Sequence, residues 1–343
     1  MATRGGVATY VRMMRDTALW EDWHIQHVAT HRDGSAFAKL GIFAVGLAKY
    51  VAILIGRRPD VVHIHMGSNG SFVRKAIVTW LAKAFRVPVV LHIHGSGFHT
   101  FFDESPPVLQ RIIRKTLEAA FVVVALGDEW AARLAEIAPG ARVVDIPNAI
   151  PPGDAVAQPA SAEPVHVLFL GQIGERKGAF VLVDAWAKLV AEYGRAIPAR
   201  LTIVGDGEVE RATDQVSTLG LGDSVAVSGW IAPEDVPALI RTAQVLVLPS
   251  REEGQPMAIL EAMANGLCVV AAPAGGIPEM LGDAGILVPA DDVDALAAAI
   301  ARVVLGDDER VRLGNAALAR VCERFDVNVV SRRFDRLYRE ATQ

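Results

Sequence analysis

Eight nearly unbroken apolar runs, at residues 61–65, 87–94, 121–126, 165–170, 201–204, 225–227, 245–248 and 268–271, recur along the chain. Runs this short and this uniformly apolar suit parallel strands buried on both faces, where no side of the strand meets water. Helix-length amphipathic segments separate them, for example residues 72–85, 179–193 and 295–305. Strand and helix in alternation predict an α/β fold with doubly wound parallel sheets and right-handed crossovers. Ligands in such sheets bind beyond the carboxyl ends of the strands, so the residues that follow each run carry the functional argument.

At 343 residues the chain exceeds what one core supports, which predicts two domains. The stretch 151–164, PPGDAVAQPASAEP, holds four prolines and many small residues and reads as the linker. The expected division is 1–150, linker 151–164, 165–325, and a last helix at 326–343. Residues 1–150 carry 17 Lys and Arg against 12 Asp and Glu, while the remainder carries 17 against 27. A basic half beside an acidic half is consistent with one half meeting an anionic surface or substrate, and equally with ordinary surface variation. Only Cys268 and Cys322 occur, no disulfide framework, and no stretch near Met1 has the pattern of a secretion signal, so a cytoplasmic protein is expected. The apolar stretch 40–56 is short for a bilayer span and is interrupted by Lys49.

After the run ending at Leu248 comes PSREEGQPMAILEAMANG. Pro256 suits the first helical position, and Asn265 with Gly266 suits the close of the helix. Glu253 precedes this helix and Glu261 lies inside it; Pro256 to Glu261 is a rise of roughly 7 to 8 Å at ~1.5 Å per residue. Two carboxylates so placed reach different parts of one extended ligand, and backbone N–H groups at Gly254, Gln255 and Met257 form a donor cluster for hydroxyls or phosphate oxygens. On spacing alone, a glutamate complementing the helix dipole and a second on a solvated face explain the pair equally well.

The flanking segments alter that balance. Glu253, seven residues and Glu261, set among GQIGERKG (171–178), IVGDG (203–207), SGWI (228–231) and GGIPE (275–279), resemble the retaining glycosyltransferases of family four. The likeness runs from RGG at Arg4 to the terminal helix, and its motifs are more specific in the second half. It implies the GT-B fold, two Rossmann-like domains facing a cleft that closes on a donor, with the last helix crossing back to the first domain. It gives Glu253 to the donor sugar and Glu261 to the ribose hydroxyls.

Arg176 and Lys177 are placed to clamp a diphosphate, Arg by bidentate contact and Lys as a point charge. The family pattern has Arg where this chain has Gln172, one cation fewer. By resemblance Asp206 and the Trp230-Ile231 turn lie beside the nucleotide base; the lone Gly-x-Gly at 205–207 is by itself a weak dinucleotide signal. His63 with His65, and His92 with His94, each share a strand face, but no third ligand has metal-like spacing, so they read as hydrogen-bonded core histidines. His94, followed by glycine, matches the family histidine that lies against the donor sugar. Gly5 and Gly6 open a helix and allow close backbone approach to a diphosphate. The family pattern sets a complete apolar strand before that pair, whereas Met1 to Arg4 precede it here. The first domain is therefore expected to lack its first strand, with the natural start upstream. Asp292 and Asp294 resemble a metal-binding Asp-x-Asp but sit where carboxylates cap a helix, so no metal and no cofactor is expected.

The resemblance implies transfer of a sugar from a nucleoside diphosphate to an acceptor hydroxyl with retention of configuration. VHIHMGSNGSFVRKAIVTWLAKAF and LHIHGSGFHTFF are similar to transferases of bacterial surface-polysaccharide assembly, which implies a saccharide or lipid-linked saccharide acceptor. Arg57-Arg58, Arg74-Lys75 and the apolar 40–56 helix fit peripheral contact with an anionic inner membrane face. A nucleotide-sugar epimerase and a non-catalytic sugar-nucleotide binder share the architecture and remain alternatives. Nucleic-acid binding is disfavoured by the negative net charge and by the lack of a basic stripe with aromatics.

Overall fold

The computed structural model describes residues 6–31, 34–95, 97–159, 163–194 and 197–343. The chain divides into two compact units, Met1–Ala149 with Val327–Gln343, and Ile150–Asp326.

In the first unit β1 (Val62–Met66), β2 (Val89–Ile93), β3 (Val122–Ala125) and β4 (Val143–Asp145) form a parallel sheet in the order β1-β2-β3-β4. Val90, Leu91 and Val122 to Val124 are fully buried, as strands covered on both faces require. Helices Gly70–Ala84 and Pro107–Ala119 contribute Phe72, Ile113 and Leu117 to the core. Helix Val327–Ala341 belongs to this unit and buries Val330, Phe334 and Tyr338, and Asp335 accepts from Trp23 Nε1 at 2.9 Å. Helix Ala36–Gly56 starts four residues before the expected stretch, where Ser35 Oγ accepts from Ala38 N. It is anchored through Leu54 and through Tyr50, whose hydroxyl donates to Val78 O.

The second unit has six parallel strands: β5 (Val165–Leu170), β6 (Ala199–Val204), β7 (Val225–Ser228), β8 (Val245–Leu248), β9 (Cys268–Ala271) and β10 (Ile286–Leu287). Their order, β10-β9-β8-β5-β6-β7, reverses direction at β5, so a crevice opens between the carboxyl ends of β5 and β8. Helix Ala179–Tyr193 packs Trp186 wholly inside, its indole donating to Ser224 Oγ at 3.1 Å. β4 and β10 escape the sequence reading because three and two residues are too few to show a periodicity.

The described part of the proline-rich segment, residues 151–159, is largely exposed yet tied to the second unit. Gly153 N donates to Ala264 O (2.8 Å), Val156 N to Asn265 O (2.9 Å), and Gln244 Nε2 to Ala157 O (3.0 Å), strapping the segment onto the second unit. The change of unit falls instead at Ala149/Ile150 and again at Asp326/Val327, with Ile150 N donating to Phe325 O at 2.9 Å. Backbone hydrogen bonding, which composition does not register, accounts for the shift.

Candidate active site

The loops after β5, β6, β8 and β9 carry most of the candidate residues, and backbone hydrogen bonds lace them together. Gly171 N donates to Val204 O (3.0 Å), Ile173 N to Asp206 O (2.6 Å), and Gly205 N to Ser228 O (3.2 Å). Gly276 N donates to Gly254 O at 2.9 Å, joining the β9 loop to the start of helix Met257–Ala264. Several close approaches in these loops require glycine. A Cβ on Gly205 would sit 1.7 Å from Gly171 O, and one on Gly178, where φ is +73°, 2.3 Å from Pro249 O.

Gly178 ends the short turn Glu175–Lys177, which presents Arg176 and Lys177 in opposite ways. Lys177 turns inward and pairs directly with Glu253, a carboxylate only 6% exposed. A buried pair of this kind costs desolvation and is held only because each charge answers the other. Arg176 stays exposed, donating to Glu252 O (3.2 Å) and toward Gln172 Oε1 (3.5 Å), while its own carbonyl accepts from Arg251 N. Lys177→Ala is expected to weaken nucleoside-diphosphate binding about 10- to 100-fold, a loss of roughly 1.4 to 2.8 kcal/mol. Calorimetric titration of the nucleotide checks it, and unchanged affinity would remove Lys177 from the site.

Pro256 stands one residue before the helix as its cap, with φ −68° and ψ 124°, rather than at the first helical position. Gly254 and Gln255 lie ahead of the helix and Met257 is its first residue. Gln255 and Met257 are buried beside Glu253, Gly254 is half-buried, and Glu261 is half-buried in the helix. Gly266, with φ +69°, follows the helix as expected. Asp206 and Ile231 are half-buried and Trp230 is 46% exposed. Asp292 Oδ1 accepts from Ala295 N at 2.9 Å and Asp294 pairs with Lys188, so both carboxylates of the Asp-x-Asp are engaged in capping and pairing.

Sequence reasoning passed over Ser250 and Arg251. Ser250 is fully buried, and its hydroxyl has no hydrogen-bond partner among the described residues. Arg251 grips Asp291 through Nε at 2.9 Å and reaches Glu175 at 3.6 Å, bracing the Lys177 turn. Their signal was adjacency to Glu253 in PSREEG, a loop read only for its glutamates.

In the first unit Gly6 opens helix Gly6–Arg15, and Gly5 lies outside the described residues. His94 follows β2, its Nε2 2.8 Å from His65 Nδ1, and burial pushes it down to about 3, so the ring is neutral. The sequence reading found no third ligand for the His-x-His pairs. Strand pairing supplies one, since the β1–β2 register sets His65 directly opposite His92.

Two α/β units built on parallel sheets define the GT-B class of fold, and solved structures share it. Sucrose-phosphate synthase from Thermosynechococcus elongatus superposes with a TM-score of 0.78 at 22% identity, over 98% of this chain and 93% of that one. Anabaena HepE in complex with UDP superposes with a TM-score of 0.74 at 22% identity, over 99% and 98%. In sequence, residues 5–149 match the glycosyl transferase 4-like domain and residues 164–305 match glycosyl transferases group 1. The phosphatidyl-myo-inositol mannosyltransferase of Mycolicibacterium smegmatis is 32% identical over 289 residues, 81% of this chain and 70% of that protein. A putative colanic acid biosynthesis glycosyltransferase, WcaL of Escherichia coli, is 28% identical, covering 80% and 69%. The chain belongs to the group 1, family four glycosyltransferases, and it is an enzyme of that class.

Proposed function

We propose that this enzyme moves a glycosyl group from a nucleoside-diphosphate sugar to a saccharide or lipid-linked saccharide hydroxyl, with retention and without a metal, in polysaccharide or glycolipid assembly. The observation that carries the reading is the buried Lys177–Glu253 pair at the mouth of the β5 and β8 loops. It holds a cation for a diphosphate and a carboxylate for a sugar at one point. Arg176 extends the cation toward the second phosphate, with Gln172 beside it. The helix start at Gly254, Gln255, Pro256 and Met257 offers N–H dipoles, and Gly5 and Gly6 would do the same for the diphosphate from the first unit. Glu261 takes the ribose hydroxyls, Asp206, Trp230 and Ile231 the base, and neutral His94 the donor sugar.

In the reaction the bond from the anomeric carbon to the diphosphate oxygen breaks as the acceptor oxygen attacks the same face. The acceptor proton passes to the leaving phosphate. Charge builds on that leaving group, so preorganised cations and N–H dipoles make the largest contribution to the rate. The curated relatives named above are transferases, which supports transfer over epimerisation or mere binding. A panel of nucleoside-diphosphate sugars assayed in EDTA, with the product anomer read by proton NMR, tests the reading. Inversion, or turnover only with added magnesium, would refute the corresponding part.

The first unit's surface supports peripheral attachment to the inner membrane face as part of this reading. Helix Ala36–Gly56 is long and apolar enough to cross a membrane by length and composition, yet one stripe is packed into the unit through Tyr50 and Leu54. Its other face exposes Phe37 (88%), Leu40, Val45 (70%) and Ile55, with Arg57 and Arg58 at its end. An apolar face edged by cations suits a helix lying in the headgroup region. Lys75 plays no part, contrary to the sequence reading: it turns inward, donates to Thr30 Oγ1 at 2.5 Å, and burial lowers it to about 8. Co-sedimentation is expected with vesicles containing anionic lipid and is expected to fall at least about fivefold in a Phe37→Ser/Val45→Ser variant. Equal pelleting by the variant, or with purely zwitterionic vesicles, would remove the membrane surface.

A further inference from the structure

We propose that the four-histidine cluster on the β1–β2 face of the first unit is a binding site for one divalent transition cation of the zinc, cobalt and nickel class, with His63, His65 and His92 as ligands. The residues alternate along two paired strands, so all four rings project from one face of the sheet. One ligand nitrogen from each of His63, His65 and His92 lies within 4.8 Å of the others. His63 Nε2 and His92 Nδ1 are 3.3 Å apart, the edge length of a tetrahedron with metal–nitrogen bonds of about 2.0 to 2.1 Å.

Proton accounting supports an ion rather than a closed hydrogen-bond network. Tyr338 Oη lies 2.5 Å from His63 Nδ1; with the proton on that nitrogen donated to the hydroxyl, His63 Nε2 is an acceptor, met by His92 Nδ1 at 3.3 Å or by a cation in its place. His92 is wholly buried, and its Nε2 has no hydrogen-bond partner among the described residues. The Tyr10 hydroxyl, whose ring packs 5.6 Å from that of His92, is buried and equally unpartnered. Buried polar atoms without partners are rare, and two of them beside the three rings leave the hydrogen-bond network open.

Access and surroundings also fit. A cavity of 1110 Å³ is lined by His63, His65, His94 and Tyr10, leaving an open side for a fourth ligand. Phe334 and Tyr338 of the last helix pack against His63, with ring centroids 5.0 and 5.8 Å away, and Tyr338 also lines the cavity. The cation would therefore tie β1 and β2 to helix Val327–Ala341 through the His63–Tyr338 contact. The three ligands do not include His94, the ring assigned to the donor sugar, and transfer in EDTA is expected to persist.

The test uses the whole chain carrying no histidine tag, stripped by chelation and titrated with cobalt(II). One equivalent is expected, with visible bands of a four- or five-coordinate nitrogen site, and zinc is expected to raise the melting temperature. His65→Gln and His92→Gln are expected to weaken cobalt binding at least about tenfold, whereas His99→Gln leaves it unchanged. X-ray absorption of the zinc-loaded wild type is expected to show three or more imidazoles, a result that stands even if the variants misfold. Fewer than three imidazoles, no stoichiometric uptake, or full uptake by folded His65→Gln and His92→Gln would overturn the proposal.

Discussion

Glu253→Gln is expected to lower the turnover number about 100- to 1,000-fold while leaving nucleoside-diphosphate affinity within about threefold of wild type. The amide keeps the shape of the carboxylate and its oxygen still accepts from Lys177 Nζ, so the loop is not displaced. What disappears is the negative charge that the proposed reading sets beside the donor sugar, where positive character develops in the transition state. An interaction made chiefly in that state lowers kcat rather than ground-state binding. Lys177, no longer neutralised, stays available to the diphosphate, in contrast to Lys177→Ala, which also strands a buried carboxylate. Steady-state kinetics beside calorimetric titration of the free nucleotide separate the two effects. Wild-type turnover in Glu253→Gln would end its assignment as a catalytic residue.

The second large effect is expected at Gly205. A methyl group there would overlap Gly171 O at 1.7 Å and the Gly171 carbonyl carbon at 2.7 Å. Both are backbone atoms, so no rotamer change relieves the clash, and the β5 and β6 loops must part. Gly205→Ala is expected to destabilise the second unit by about 3 kcal/mol, the upper end for overpacking. That corresponds to a melting shift of roughly 6 to 12 °C for a unit of this size. Activity should fall with it, because the displaced loop leads into the Lys177 turn. Gly222→Ala serves as control, since a Cβ there meets nothing within 4 Å. An unchanged melting transition in Gly205→Ala would show that the loops are not held as closely as the geometry states.

Gly205 also shows how the same residue reads differently at the two levels. In the sequence, Gly205-Asp206-Gly207 is a weak nucleotide-loop signal, because flexible backbone after a strand is all that a motif records. In the fold, Gly205 is where two loops touch, a contact that depends on β6 lying beside β5. The proline-rich segment makes a related point. Proline and small residues report chain stiffness and turn preference, not whether a segment's amides find partners on a neighbouring surface.

Local periodicity determined most of the strands and helices. The β5, β8 and β9 runs begin and end where the apolar letters do, and helix Ala179–Tyr193 matches its amphipathic segment residue for residue. Burial on both faces writes itself into consecutive residues, so it is legible without coordinates. The order of strands is not. Only the adjacency of β5 and β8 brings Lys177 to Glu253 across 76 residues, and only the β1–β2 register adds His92 to His63 and His65. Such contacts follow from which hydrogen-bond ladders form between distant segments. Spacing along the chain carries no record of that choice.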